Sequence, residues 1–347
     1  MKPLATLILS CVTLVAAEPA KRPSAEEMKA AALKMAVDVT STKDGTPQKV
    51  VYYQPDSAAK NLAGPPIPLL IFLHNWSGSI EQAPSLVGLA KHRGWVMIAP
   101  AFRGPNNRPE ACASDLASQD IIDAAEYAKA HARIDTHRIY LVGGSGGGHM
   151  SLVMAARTPD LWAAVSAWVP ISDLTAWHAE SSARKNNYAK MIEQCCGGKP
   201  GPATEAQYRH RSPLFHLAAA KGVPLDINAG IHDGHTGSVP VSHSLHAFNV
   251  LAAPDEQVSV ADIDFMVREQ KIPASLAGET QNDPERQKAT LFRRASGNAR
   301  VTVFEGGHDF EPSAALEWLS RQRKGQPADW SLGQKPGKAG AATEVSK

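Results

Sequence analysis

The run Leu141-Val142-Gly143-Gly144-Ser145-Gly146-Gly147-Gly148-His149 constrains this chain more than any other stretch. It sets a serine in a Gly-x-Ser-x-Gly frame, with an apolar, β-favouring segment before it (residues 138–142) and a helix-forming segment after it (residues 149–156). A strand that turns abruptly into a helix strains the backbone of the turn residue, and Gly143 and Gly147 leave room for strand and helix to approach because neither carries a Cβ. Such a turn calls for a buried parallel strand in front and a packed helix behind, and hence for an α/β architecture. The Ser145 hydroxyl then stands above the strand ends. The amino terminus of the helix over residues 146–157 aims backbone N–H groups at the same place, where an oxyanion would develop during acyl transfer.

The rest of the chain fits that architecture. Residues 49–54, 68–74, 94–100, 138–143, 163–169, 224–230 and 300–305 are apolar runs, most without the alternation of a half-wet sheet, and read as strands buried on both faces. Helical apolar spacing occupies 84–93, 115–132, 147–157, 241–251 and 313–323. The expectation is a doubly wound, mostly parallel sheet with its ligand site at the carboxyl ends of the strands. Two stretches exceed ordinary connections and are expected as cap-like insertions: 173–222, a lid over the site, and 253–298, with a helix at 258–270. Residues 18–47 and 324–347, rich in Ala, Lys, Pro and Gly, read as weakly ordered ends, which leaves a domain over 48–323.

Residues 1–17 have the form of a signal peptide: Lys2, an apolar run from Leu4, and small residues at Val15-Ala16-Ala17. The chain is therefore expected to be exported, and the run is shorter than the ~20 residues of a spanning helix. Cys11, after Leu9-Ser10, only faintly resembles a lipoprotein site. Beyond it stand Cys112, Cys195 and Cys196, and an oxidising compartment predicts a disulfide from Cys112 to one of the adjacent pair. The formal net charge is +2, with no basic block in the core region, which gives no electrostatic case for a nucleic acid partner.

A nucleophile elbow takes its partners in the order serine, acid, histidine. Asp233 follows the strand at 224–230 and is the expected acid. His308 follows Gly306-Gly307 after the last strand and is the expected base. Asp173, just past the strand at 163–169, is the rival acid; Asp226 lies within a strand and reads as structural. His232, His235 and His243 lack a metal-ligand frame and read as surface or lining histidines, and Asp309 reads as a solvated neighbour of the base. The oxyanion donors are expected at the N–H of Gly146 and of Trp76, with Asn75 the alternative, and Trp76 is expected also to wall the acyl pocket. This chemistry needs neither metal nor organic cofactor.

The residues Gly143-Gly144-Ser145-Gly146-Gly147-Gly148-His149-Met150, Ser212-Pro213-Leu214, Pro224-Leu225-Asp226-Ile227 through Asp233, Val239-Pro240-Val241-Ser242-His243-Ser244 and Gly306-Gly307-His308 stand in an order that resembles the α/β-hydrolase superfamily. Within it they resemble the prolyl oligopeptidase-like serine hydrolases and esterases, over roughly residues 48–323. The resemblance implies a Ser-His-Asp triad and an acyl-enzyme. Oligopeptidases of that group carry a β-propeller before the hydrolase domain; fewer than about fifty residues precede the first strand here, and the expected substrate is therefore a carboxylic ester rather than a peptide. Trp168, Trp177, His178 and Tyr188 would suit a sugar-bearing ester. The alternatives are an exported peptidase and a non-catalytic binding protein on a hydrolase scaffold.

Overall fold

A computed structural model describes residues 23–332; the expected signal peptide, Cys11 and residues 333–347 lie outside the described residues. Among the described residues, nine strands form one sheet: β1 (Ala36–Thr40), β2 (Pro47–Tyr53), β3 (Ile67–Leu73), β4 (Val96–Pro100), β5 (Ile134–Gly144), β6 (Ala164–Trp168), β7 (Leu225–Gly230), β8 (Thr290–Ser296) and β9 (Ala299–Phe304). Their order is β1-β2-β4-β3-β5-β6-β7-β9-β8. Pairing is parallel from β4 through β9, and antiparallel where β1, β2 and β8 attach at the two edges.

Among the described residues, ten α-helices accompany the sheet: α1 (Ala25–Lys34), α2 (Pro84–His92), α3 (Asp115–His131), α4 (Gly146–Arg157), α5 (Leu174–Ala183), α6 (Tyr188–Cys196), α7 (Glu205–Arg211), α8 (Ser242–Leu251), α9 (Val260–Glu269) and α10 (Pro312–Ser320). The uninterrupted apolar runs of the central strands follow from burial on both faces. Leu69, Ile71 and Leu73 pack with α3, α4, α8 and α9, while Leu70 and Phe72 pack on the opposite face with α1, α2 and α10. A third core holds Trp76, Cys112, Leu174, Trp177, Ile192, Cys195, Cys196 and Tyr208, and fastens the first insertion to the sheet's carboxyl end.

Three expectations are corrected. Residues 18–47 are not uniformly weakly ordered: α1 opens with a Ser24–Glu27 capping box, and β1 pairs with β2. The segment after 324 does not leave the fold at once, because Trp330 stacks on Trp318 with ring centroids 5.4 Å apart. The expected disulfide is absent among the described residues. Cys112, Cys195 and Cys196 are free, buried thiols that share the third core. Burial pushes the Cys196 thiol up to about 12, and raises Cys112 well above the ordinary range, so both are held as protonated thiols.

Candidate active site

β5 ends at Gly144 and α4 begins at Gly146, so Ser145 occupies the turn by itself, with φ 57° and ψ −120°. A serine in that region costs about 1–3 kcal/mol and persists where the surroundings over-determine it. Here the Ser145 N–H donates to the Trp168 carbonyl (2.8 Å), and the Ser145 carbonyl accepts from the His149 N–H (2.8 Å). The neighbouring glycines are required sterically. A Cβ on Gly143 would lie 2.5 Å from the Gly147 carbonyl carbon, and one on Gly147 would lie 2.1 Å from the Leu73 oxygen.

The same close packing sets the amides. A Cβ on Gly146 would lie 2.3 Å from the Trp76 backbone nitrogen, so the loop after β3 runs directly against the start of α4. Among the described residues neither the Gly146 nor the Trp76 N–H donates to a protein backbone acceptor outside the regular elements. Both expected oxyanion donors thus stand side by side next to Ser145. The indole of Trp76, however, does not wall the pocket: it turns into the third core, edge-on to Trp177 at 4.7 Å and to His149 at 5.9 Å.

On the far side, Asp233 follows β7 and His308 follows β9, strands that are neighbours in the sheet. His308 Nδ1 and Asp233 Oδ2 are 2.7 Å apart. The other carboxylate oxygen, Oδ1, accepts from the N–H groups of Gly234 (2.9 Å) and Val239 (3.0 Å), which fixes the acid from behind. Gly237 closes over the pair; a Cβ there would lie 2.2 Å from Asp233 Oδ1 and 2.6 Å from His308 Cβ.

Ser145 and His308 line one cavity of about 470 Å³. Its other walls are Phe72, Leu86, Val169, Phe310 and Pro312, with Ala25 and Met28 of α1 above and the polar Asn75, Glu81 and Gln82 at one side. Val169 holds φ 41°, an unusual position for a β-branched residue, at the end of β6. The sequence carries no signal for that strain or for the contribution of α1, because both come from tertiary contact.

The rival residues have other partners. Asp173 caps α5, accepting from Thr175 N–H at 2.8 Å. Asp226 is buried against Arg300 at 2.8 Å. His232 lies 2.7 Å from Glu305 and His243 3.1 Å from Glu180, while His235 meets the Val267 carbonyl at 2.6 Å. Asp309, expected to be solvated, pairs with Lys288 at 2.9 Å. Trp168 and Trp177 are fully buried, Tyr188 packs on Trp177 at 4.9 Å, and His178 binds Glu193 at 2.9 Å. The two tryptophans are core, Tyr188 and His178 are half-buried, and none of the four lines the cavity that holds Ser145, so the carbohydrate reading finds no support in this set.

A mostly parallel, doubly wound sheet with a strained serine between strand and helix defines an α/β-hydrolase, and specifically a serine hydrolase. Residues 87–269, just over half of the chain, match the prolyl oligopeptidase family, and the chain belongs to it. It is similar to the uncharacterized peptidase YtmA of Bacillus subtilis (strain 168), with 27% identity over 155 residues, 44% of this chain and 56% of that protein. In structure it is similar to the acylaminoacyl peptidase of Pyrococcus horikoshii (TM-score 0.56, 16% identity, 86% of this chain and 42% of that one). It is also similar to a puromycin hydrolase (TM-score 0.55, 18% identity, 82% and 38%). The chain spans less than half the length of these two structures, and at such identities the likeness speaks to the fold.

Proposed function

We propose that this chain is an exported serine peptidase that cleaves small peptides or related amides through a Ser145-His308-Asp233 triad. The observation that carries the reading is the conjunction at Ser145: a strained nucleophile sharing one cavity with His308, whose Nδ1 is held 2.7 Å from Asp233. Membership of the prolyl oligopeptidase family favours amide over ester substrates, and residues 1–17 favour export.

In this mechanism the Ser145 hydroxyl oxygen attacks the substrate carbonyl carbon while His308 Nε2 takes its proton. Asp233 accepts from Nδ1–H, fixes the tautomer and stabilises the imidazolium. Charge on the tetrahedral oxygen is met by the N–H groups of Gly146 and Trp76. Collapse breaks the carbonyl carbon–nitrogen bond, and His308 delivers its proton to the departing amine. Water then repeats the attack on the acyl-enzyme and releases Ser145 with the free acid.

The test is hydrolysis of short aminoacyl p-nitroanilides and p-nitrophenyl esters by the chain and by Ser145→Ala. Serine-dependent cleavage of the anilides, lost on the order of a million-fold in the variant, is the expected result. Ester cleavage without amide cleavage would make the chain a carboxylic ester hydrolase. Silence on both series would favour a non-catalytic binding role.

A further inference from the structure

The cavity that holds Ser145 and His308 is apolar on most sides, yet one wall carries a carboxylate. Glu81 sits in the single turn Ile80–Gln82, in the loop that leads from the proposed oxyanion residues into α2. Its Oε1 accepts the Ser79 N–H at 2.8 Å, which holds the side chain in place, and among the described residues its Oε2 has no protein hydrogen-bond partner. No lysine or arginine lines the cavity, and no cation pairs with Glu81 among the described residues; the remaining ionisable group in the wall is His308. A carboxylate at the edge of an apolar cavity loses hydration when a ligand fills that cavity, and the loss is offset if the ligand brings a positive charge to it.

We propose that Glu81 selects substrates by a free amino terminus, its carboxylate binding the α-ammonium of an unblocked peptide whose scissile carbonyl rests on Ser145. The proposal rests on the peptidase reading above and specifies its substrate class. The substrate's apolar side chain lies against Phe72, Leu86 and Phe310, and the ammonium makes a charge-assisted hydrogen bond to Oε2. The same arrangement disfavours two other classes. A substrate that enters by its carboxylate end meets like charge, and an N-acylated one leaves Glu81 desolvated without a cation. Glu81 is here a specificity residue, and the bond-breaking steps remain those of Ser145 and His308.

The experiment compares Leu-p-nitroanilide and Ala-Leu-p-nitroanilide with their N-acetylated forms, for the chain and for Glu81→Gln. Labelling of Ser145 by a fluorophosphonate serves as the measure of an intact site in both proteins. The expected result is a kcat/KM at least tenfold higher for the better free amine than for its acetylated form. That ratio should shrink toward one in Glu81→Gln, mainly through KM. In the unsubstituted chain it should also fall as pH rises through about 8, where a terminal amine loses its proton. Acetylated substrates cleaved as well as free ones would overturn the proposal, and so would a preference that survives in a fluorophosphonate-reactive Glu81→Gln. If the anilides are inert and p-nitrophenyl esters are cleaved, the peptidase reading fails separately. Leucine p-nitrophenyl ester and its N-acetyl form then carry the same comparison, with the same two results deciding for or against Glu81.

Discussion

At the scale of single residues, Gly237 shows how little slack the Asp233–His308 pair has. It lies between Asp233 and His308 without touching the cavity, and a methyl group there would overlap the carboxylate oxygen at 2.2 Å. Gly237→Ala should therefore push His308 off its line to Ser145. Misplacement by about 1 Å costs on the order of a hundredfold in turnover, whereas the partly exposed loop around residue 237 should yield with a small change in melting temperature. Steady-state kcat and thermal unfolding of the variant, measured together, check this; unchanged kcat would mean that the loop moves and the pair does not. His149, one turn into α4, offers a second prediction. It is fully buried, and burial pushes its imidazole down to about 4. Between the unfolded value of about 6.5 and that folded value, the unfolded chain binds a proton that the folded chain refuses. Stability should accordingly fall as pH drops from 6.5 toward 4, by up to about 1.4 kcal/mol per pH unit from this group. His149→Asn, which cannot titrate there, should flatten the slope of urea midpoints between pH 6.5 and 4.5. It should flatten it only in part, since burial also lowers His74 and His246.

At the scale of elements, the parts legible in the sequence are those whose burial is complete. The seven inner and near-inner strands announce themselves as apolar runs, and α2, α3, α4, α8, α9 and α10 by helical spacing, because each is covered on a full face or more. β1 and β8 carry no such signal. Ala36-Val37-Asp38-Val39-Thr40 and Thr290-Leu291-Phe292-Arg293-Arg294-Ala295-Ser296 are edge strands with one wet side, held by antiparallel pairing that composition does not record. The Asp233–His308 contact was legible because each residue follows an apolar strand within a few residues, and the place of Glu81 was not, since its cavity exists only after α1 folds back over the turn at Ile80–Gln82. That placement of α1 has a measurable consequence. Met28 lines the cavity, so Met28→Ala should enlarge it and raise kcat/KM for bulky acyl or side-chain groups relative to small ones by about tenfold or more, the effect of a methylene or more in an apolar pocket. A substrate series of increasing chain length measures it, and an unchanged size preference would place the bound substrate elsewhere in the cavity.

At the scale of the whole molecule, the question is where the cooperative unit ends. Composition alone assigns every residue from 324 onward to solvated chain, yet the segment through Leu332 closes one end of the sheet. Trp318 Nε1 and Gln322 Nε2 both donate to the Asp329 carbonyl, at 3.1 and 2.9 Å, and Trp330 Nε1 donates to the Gly297 carbonyl at 3.2 Å. The guanidinium of Arg300 lies 4.7 Å from the Trp330 ring and 5.7 Å from that of Trp318. Arg300 in turn pairs with the buried Asp226 at 2.8 Å, near the start of β7 and two strands from β5, which leads into Ser145. Removing one partner from a buried pair leaves a charge that nothing offsets, at a cost of about 3–5 kcal/mol. Letting water reach Arg300 weakens the pair by less. A chain cut after Lys324 should therefore be less stable than one cut after Leu332 by about 2 kcal/mol or more, from the lost indole burial and the orphaned Trp318 Nε1 donor. Trp330→Ala in the longer chain should fall between them. Denaturant unfolding of the three proteins decides it: equal midpoints for the two truncations would show that the fold is already complete at residue 324, and that the stacked tryptophans only rest on it.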